Sequence, residues 1–395
     1  MTSSVLGRRD PVSARLPVAV QTTVAALRER AAAHQGPVVD LAIGAPVDPT
    51  PAVVQRALAA EADSPGYPLT VGRRDLREAA LGWLARCHDV HVLHQRQVLP
   101  TNGLKEVIAS LALHLGLGPG DLVTYPRLAY PTYAVGAALV GAQTAHVDGL
   151  DDLLALDDAA EPPALVWVNS PSNPTGRVLA PEELRAMVTW CRERGALLVS
   201  DECYLDLGWE TRPTSVLHAD VCGGSTSGIL ALHSLSKRSN LAGYRIGFVS
   251  GDADVVAELV TVRRNLGLQM AGPQQGAAIA ALDDDQHVTA QRSRYAARRT
   301  ALRGALVSAG FRVEHSEAGL YLWATRGEAC EDTVGWLADR GIVAVAGSEY
   351  GAAGAEHVRF ALTVPDEAVG LAVERLAASG PAPVTPAAPA STEES

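Results

Sequence analysis

Short runs of apolar residues alternate along this chain with longer segments whose apolar residues recur every three or four positions. The run LVWV is followed by Asn169, ALLVS is followed by Asp201, and GILALHS ends at Ser234. Between the first two lies PEELRAMVTWCRERG, with Pro181 at its start and Gly195 at its end, the usual signals of helix boundaries. Continuous apolar strands separated by amphipathic helices predict an α/β fold with a mainly parallel sheet covered on both faces.

Polar residues follow three of these predicted strands. Residues 169–176, 201–204 and 234–237 lie at the ends of the apolar runs. Ligands of parallel α/β sheets bind at the carboxyl ends of the strands. The three polar tips are therefore expected to form one site.

The pattern changes after residue 265. A helix-rich stretch, SRYAARRTALRGALVSAG, is followed by the short strands FRVEHSEAG, LYLWATR, GIVAVAG and HVRFALT, which predict a second, smaller α+β domain. We expect an N-terminal arm and part of the small domain in residues 1–45, the large site-bearing domain in 46–265 and the C-terminal small domain in 266–378. The Pro-, Ala- and Ser-rich residues 379–395 are expected to form a disordered tail.

Composition limits the class of protein. The 395 residues are 47% hydrophobic and 19% charged, with a net charge of −11, which disfavours a nucleic-acid-binding surface. The chain has neither a run of eighteen apolar residues nor a signal-peptide pattern, so we expect a cytoplasmic protein without a membrane partner. Its five cysteines are scattered and lack a CxxC pair, which favours reduced thiols and no metal site.

Lysine is scarce. Lys105 and Lys237 are the two lysines among 33 Lys and Arg residues. A lysine amine forms a reversible Schiff base with an aldehyde cofactor, and arginine cannot replace it. Lys237 lies in HSLSKRSNLAGYRIGF; a lysine in such surroundings is usually a solvated loop residue unless partners for a cofactor are present.

An aldehyde cofactor with a pyridine ring needs a carboxylate for its ring nitrogen and donors for its ring oxygen. Asp201 is the candidate carboxylate, and Asn173 and Tyr204 are candidate ligands of the ring oxygen. Taken alone, Asp201 would be interpreted as the cap of a turn. Tyr130 in PRLAYPTY is the candidate for stacking on the ring, although an isolated tyrosine is more often a core residue.

A phosphate group needs backbone amides at a helix start and a cation. The helix predicted in TNGLKEVIASLALHLG offers the amides of Gly103 and Leu104. Ser234, Ser236 and Arg245 are expected to complete the phosphate site. Taken alone, TNG before a helix is an ordinary cap.

A substrate carboxylate calls for an arginine. Arg359 lies between apolar residues of the predicted strand HVRFALT, where a charge is costly without an anionic partner. It is the preferred candidate among the many arginines.

Four motifs, NSPSNPTG, SDECY, SLSKRSNLAGYRIG and HVRFALT, resemble in order and spacing those of the fold-type I, class I/II pyridoxal-phosphate aminotransferases, over about residues 35–378. The resemblance implies an aspartate-aminotransferase-like large domain that binds pyridoxal 5'-phosphate, and a smaller α+β domain. It implies that Lys237 is the Schiff-base lysine and proton shuttle, with Asp201 on the pyridine nitrogen and Tyr204 with Asn173 on the ring oxygen. Phosphate would be held by Arg245, Ser234 and the Gly103 and Leu104 amides, with Tyr130 stacked on the ring.

The same resemblance implies that Arg359, Gly44 and Asn173 hold the substrate carboxylate. Tyr67, in PGYPLTVGRRDLREA, matches a tyrosine that such enzymes lend to the phosphate site of the neighbouring subunit. It therefore implies a homodimer with shared active sites.

Within this family the chain resembles actinobacterial N-succinyldiaminopimelate aminotransferases most, in APVDPTPAVVQRALAA, RLAYPTY, CYLDLGWE and SEAGLYLWATRGE. The differences fall in segments that line the substrate pocket of this fold. Leu104 replaces a usual hydroxyl residue, residues 265–274 differ, Ala346 replaces a proline and Glu349 replaces an aromatic residue. These clustered differences predict a changed substrate or a changed reaction course.

The resemblance implies an aminotransferase that moves an amino group between an amino acid, with glutamate as the expected donor, and a 2-oxo acid or succinyl-amino-keto acid. The alternative is a biosynthetic enzyme of secondary metabolism that catalyses β- or γ-elimination or replacement, for example on S-adenosylmethionine, including annulation to a nicotinamide dinucleotide. A catalytically silent binding protein is disfavoured, because Lys237, Asp201, Asn173, Tyr204 and Arg359 are all present.

Overall fold

A computed structural model describes residues 11–17, 20–157 and 161–378 of the chain. Its helices are α1 Val20–Ala31, α2 Ala52–Ala60, α3 Arg74–His88, α4 Leu104–His114, α5 Thr132–Val140, α6 Leu150–Leu154, α7 Pro181–Arg194, α8 Ala219–Cys222, α9 Leu235–Arg238, α10 Ala253–Asn265, α11 Gly272–Asp283, α12 Asp285–Ser308, α13 Cys330–Ala338 and α14 Asp366–Ala377. Its strands are β1 Val39–Asp40, β2 Val98–Thr101, β3 Leu122–Tyr125, β4 Gln143–His146, β5 Leu165–Asn169, β6 Leu197–Asp201, β7 Ile229–Ser234, β8 Gly247–Gly251, β9 Arg312–Glu314, β10 Tyr321–Thr325, β11 Ile342–Val343, β12 Val345–Ala346 and β13 His357–Ala361.

The largest sheet has seven strands in the order β2-β8-β7-β6-β5-β3-β4. β8 runs antiparallel to both of its neighbours, and the other pairs are parallel. Every residue of β5 and β7 is buried, as the continuous apolar runs predict. The mainly parallel sheet expected from the sequence is therefore confirmed.

Helix signals in the sequence coincide with the observed ends of α7. Pro181 is its first residue, where the missing N–H has no helical partner in any case. Gly195 ends it with φ +68°, a left-handed conformation that glycine adopts without steric cost. This helix returns the chain from β5 to β6, so the two strand tips lie side by side with Asn169 opposite Asp201.

A second, four-stranded antiparallel sheet has the order β12-β13-β10-β9, and its register places Trp323 opposite Arg359. The helices α12 and α14 pack together beside it around Phe311 and Phe360. β1 pairs with β11 in a separate parallel ribbon. The segment that carries β1 therefore packs on the C-terminal part of the fold.

The helix α11 packs on α2 and α3, and its Ala277 and Ala281 belong to the same apolar cluster as Trp83. The predicted boundary at residue 265 thus precedes a helix that packs in the core of the larger sheet. The division into domains remains a prediction, and the predicted tail, residues 379–395, lies outside the described residues. Within the described ranges, no helix is both long and apolar enough to cross a membrane.

Candidate active site

Lys237 lies in α9, directly after β7, and its amine donates a hydrogen bond to the backbone carbonyl of Gly44. Gly44 belongs to the segment that leaves β1. A Cβ atom at position 44 would collide with the hydroxyl of Tyr321, so glycine is the residue that fits beside this tyrosine. The two predicted site residues Lys237 and Gly44 are therefore in direct contact.

Asp201 ends β6 and is 3% exposed. Its carboxylate accepts hydrogen bonds from the Tyr133 hydroxyl at 2.9 Å and the Cys203 amide at 3.2 Å. Burial raises the pKa of Asp201, because no cation of the described chain pairs with it. A buried carboxylate without a cationic partner is suited to a protonated pyridine nitrogen, so this position fits the expected cofactor.

The start of α4 forms the predicted phosphate cradle. Gly103 has φ +74°, and a Cβ there would collide with the guanidinium of Arg245. Arg245 itself is left-handed, with φ +55°, and its Nη2 lies 3.4 Å from the Asn102 carbonyl. The arginine is thereby held over the first turn of the helix.

The two backbone amides expected at the phosphate site differ in their contacts. The amide of Gly103 already donates to the Thr101 carbonyl at 2.9 Å, whereas the Leu104 amide has no acceptor in the described structure. Of the two predicted amides, Leu104 is the one that this geometry offers to an anion. Ser234 and Ser236 lie together, with the Ser234 Oγ accepting from the Ser236 amide at 3.1 Å.

Arg359 lies on β13 and is 6% exposed. Its Nη2 donates to the Ala42 carbonyl at 2.6 Å and its Nη1 to the Asn173 Oδ1 at 3.0 Å. The rings of Tyr321 and Tyr350 face the guanidinium at 4.0 and 5.0 Å. Its Nε has no partner in the described structure, and no carboxylate pairs with it there. A buried guanidinium with a spare donor is suited to a substrate carboxylate.

The predicted ligands of the ring oxygen lie in the same buried region. The Tyr204 hydroxyl is 3.2 Å from that of Tyr321, and burial raises the pKa of Tyr204 well above its usual range. The backbone amide of Asn173 donates to the Asn169 Oδ1 at 2.8 Å, and the Asn169 Nδ2 donates to the backbone carbonyl of Asp201 at 2.9 Å. Asn169 therefore connects the turn carrying Asn173 to the tip of β6.

Two predicted aromatic residues differ in environment. Tyr130 is half-buried, and its ring meets that of Tyr133 edge-on with the centroids 5.9 Å apart. Tyr67 is 98% exposed on a loop. The stacking role of Tyr130 and the subunit-bridging role of Tyr67 remain predictions.

Three tyrosines of the site are absent from the sequence-based expectations: Tyr133, Tyr321 and Tyr350. Tyr133 lies in the first turn of α5, three residues after Tyr130, which precedes the helix. That spacing is visible in the sequence. Tyr321 and Tyr350 reach Arg359 only through the tertiary structure, so no local pattern indicates them.

The unusual Leu104 does not enter the predicted phosphate site with its side chain. That side chain is 7% exposed and belongs to the apolar cluster that contains Leu99 and Val249. Glu349 lies in a short 3-10 turn, Gly347–Tyr350, beside the tyrosine that faces Arg359. The difference at Leu104 therefore alters core packing, whereas the one at Glu349 adjoins the carboxylate site.

The family described as aminotransferase class I and II matches residues 36–376. The Mycobacterium tuberculosis protein named "Probable aminotransferase Rv1178" is 54% identical over 368 residues, covering 93% of this chain and 87% of that protein. The 4-dedimethylamino-4-oxo-anhydrotetracycline transaminase OxyQ of Streptomyces rimosus is 54% identical over 349 residues, covering 88% of this chain and 96% of OxyQ.

A solved aminotransferase from Neisseria meningitidis has a similar structure, with a TM-score of 0.85 and 27% identity. The similarity covers 94% of this chain and 99% of that protein. The aspartate-aminotransferase-like fold expected from the motifs is therefore confirmed.

Proposed function

Because this chain belongs to the aminotransferase class I and II family, whose members depend on pyridoxal phosphate, we propose that it moves an amino group from glutamate to a 2-oxo acid or succinyl-amino-keto acid. The cofactor, when bound, supplies the carbonyl that takes up the amino group and the ring that accepts electrons. The motifs RLAYPTY and CYLDLGWE, which resemble those of N-succinyldiaminopimelate aminotransferases, support the succinylated acceptor.

The contact between Lys237 and Gly44 carries this proposal. The amine of Lys237 and the guanidinium of Arg359 both bind carbonyls of residues 42–44, Lys237 at Gly44 and Arg359 at Ala42. An amino acid whose carboxylate is bound by Arg359 would therefore present its α-carbon near the lysine. Lys237 would take the proton from that carbon and return it, as a general base and then a general acid.

The remaining residues are proposed to hold the cofactor. Asp201 would pair with the protonated ring nitrogen, and Tyr133 would keep the carboxylate oriented. Asn173 and Tyr204 would bind the ring oxygen. The phosphate would be held by the Leu104 amide, Ser234, Ser236 and Arg245, and Tyr130 would stack on the ring.

We propose a cytoplasmic homodimer in which Tyr67 serves the neighbouring subunit. Tyr67 is almost fully exposed in one protomer, which supports a role outside that protomer. Exposed apolar side chains in the same loop and in the segment after β1 support a contact surface there, namely Leu69, Ile43 and Val47.

A second acceptor class is favoured by one observation. OxyQ, named as a transaminase of an oxo-anhydrotetracycline, is 54% identical to this chain over nearly its whole length. By this likeness the amino acceptor would be a ring ketone of a secondary metabolite instead of a 2-oxo acid. Both acceptors share the same first half-reaction with the amino donor.

The test follows the visible absorbance of the purified holoenzyme. Glutamate alone should convert the bound cofactor to its amine form, and the true acceptor class should restore the original spectrum. Absence of any response to glutamate, together with release of methylthioadenosine from S-adenosylmethionine, would support the elimination or replacement alternative. Lys237→Ala should abolish both responses, and retained turnover in that variant would contradict the role of Lys237.

A further inference from the structure

A ring of hydrogen bonds joins Lys237 to the segment that leaves β1. The lysine amine donates a hydrogen bond to the Gly44 carbonyl. Asp48 follows Gly44 by four residues, and its carboxylate accepts a hydrogen bond from Gln291 Nε2 at 2.7 Å. Gln291 Oε1 in turn accepts from Asn240 Nδ2 at 3.0 Å. Asn240 lies three residues after Lys237, so the backbone closes the ring. Gln291, on α12, is the bridge between the two loops.

The ring is anchored at Asp48. Arg298, two turns further along α12, donates to both Asp48 oxygens at 2.7 and 2.8 Å, and is itself 4% exposed. Burial opposes ionisation, but the hydrogen bonds from Arg298 and Gln291 hold the pKa of Asp48 below its usual value. Asp48 is therefore a charged, fixed attachment point for the segment.

The carboxylate side of the segment is attached separately. The Ala42 carbonyl accepts from Arg359, and the Ile43 carbonyl accepts from the Thr363 hydroxyl at 2.8 Å. These bonds hold residues 42 and 43 to the C-terminal part of the fold without help from Gln291. Loss of Gln291 would therefore affect the Gly44 end of the segment more than the Arg359 end.

We propose that Gln291 is a positioning residue, which sets the distance between the Lys237 amine and the Gly44 segment by tying Asp48 to Asn240. The inference rests on the proposed role of Lys237 as the proton-transferring group. A glutamine that only packed helix against loop would contribute to stability, but it would leave the proton-transfer step unchanged.

The activity test compares two matched substitutions on α12. Gln291→Met removes the hydrogen bonds to Asp48 and Asn240, together with a longer one from Arg294, from a side chain that is 5% exposed. Gln286→Met makes the same chemical change at an exposed position. We expect Gln291→Met to lower kcat about ten-fold, since small displacements of catalytic groups are costly, with KM for glutamate changed less than about two-fold. The isotope effect on kcat with α-deuterated glutamate should rise, because proton transfer becomes slower.

A second variant tests the other side of the bridge. Asn240 has φ +56°, a conformation that glycine adopts without steric cost, so Asn240→Gly removes the side-chain amide without straining the backbone. It should lower kcat as Gln291→Met does, and the double variant should lose no more than either single one. Full additivity of the two effects would overturn the bridge.

A readout without cofactor separates this inference from the proposed function. In the apoenzyme, the backbone amides of Ser239 and Leu241, which flank Asn240 and both donate to the Leu235 carbonyl, should exchange hydrogen faster in Gln291→Met than in the unaltered protein or in Gln286→Met. Unchanged exchange, or a kcat within two-fold of normal at an unchanged isotope effect, would overturn the positioning role. Turnover by Lys237→Ala would instead overturn the proposed function and leave the exchange result valid.

Discussion

The hydroxyl of Tyr133 is the one side-chain oxygen donor that the described structure gives to the buried Asp201 carboxylate. Its hydrogen bond opposes the rise in the pKa of Asp201 that burial causes. We expect Tyr133→Phe to raise that pKa further and to lower kcat about ten-fold, the usual worth of one hydrogen bond to a charged group. The acidic limb of the kcat–pH profile should move to higher pH.

Tyr125→Phe is the control for this prediction. Tyr125 ends β3 and makes no hydrogen bond to Asp201 in the described structure, so removal of its hydroxyl should leave the pH profile in place. A profile for Tyr133→Phe that coincides with that of Tyr125→Phe would contradict the role of Tyr133.

Glu202, next to Asp201, has a different set of contacts. Its Oε1 accepts from the Val216 amide at 2.6 Å, and its Oε2, 3.8 Å from Nδ1 of His233, lacks a hydrogen-bond partner within the described chain. Burial raises the pKa of Glu202 to about 7 and lowers that of His233 to about 3, so the imidazole is neutral at physiological pH.

The pKa of Glu202 has a consequence for stability. Between about pH 4.3, where an unfolded glutamate titrates, and about pH 7, the unfolded chain releases a proton that the folded chain retains. The free energy of unfolding therefore falls as pH rises through this window, by on the order of 3 kcal/mol for this group. Glu202→Gln should remove most of that fall, measured as the difference in urea midpoint between pH 5 and pH 8. An equal fall in the variant would contradict the assignment.

At the scale of elements, the glycine before α4 controls the predicted phosphate site. Gly103→Ala combines an unfavourable φ of +74° with a collision against Arg245. Gly116 has φ +75° but no heavy atom within 4 Å of the position that a Cβ would occupy, so Gly116→Ala carries the backbone cost alone. We expect Gly103→Ala to weaken pyridoxal phosphate binding more than ten-fold, a displacement of about 1.4 kcal/mol or more, with Gly116→Ala near normal.

The measurement is a fluorescence titration of each apoenzyme with pyridoxal phosphate. Equal dissociation constants for the two alanine variants would show that the position of Arg245 does not depend on the absence of a Cβ atom at Gly103. Gly103→Ala should also lose more thermal stability than Gly116→Ala, because it adds the collision with Arg245 to the cost of a positive φ.

The elements around the site were largely predictable, because each carries its signal locally. The buried strands β5, β6 and β7 stand out as apolar runs with polar ends, and their shared direction brings Asn169, Asp201 and Lys237 to one edge. Arg359 stands out as a costly charge on an apolar strand, and its burial confirms that environment. Tyr321 carries no such signal, because it lies among other apolar residues of β10 and reaches Arg359 only across the sheet.

At the scale of the whole molecule, the proposed dimer can be tested by complementation. If Tyr67 serves the neighbouring site, Lys237→Ala and Tyr67→Ala should each be inactive or nearly so as pure dimers. Unfolded and refolded together in equal amounts, they should recover roughly a quarter of normal activity, because half of the dimers are mixed and each of these has one intact site.

Two controls are needed to interpret the recovered activity. The same mixture prepared without unfolding should stay inactive if subunits exchange slowly, and size-exclusion chromatography should give a dimer throughout. Absence of recovery in a sample that is dimeric would place Tyr67 in its own subunit's site. The loop that carries Tyr67 has no local sequence pattern that indicates a contact with another subunit. The family resemblance alone therefore predicts the role of Tyr67.

Lys105 is exposed on the first turn of α4, whereas Lys237 is half-buried against Gly44. If Lys237 holds the cofactor as proposed, the chain presents one reactive side-chain amine to solvent besides its amino terminus. Acylating reagents and surface linkers should then attach at a single known side chain. The enzyme is thus suited to oriented immobilisation through Lys105, and in Lys105→Arg the one remaining lysine would be Lys237, the proposed cofactor lysine.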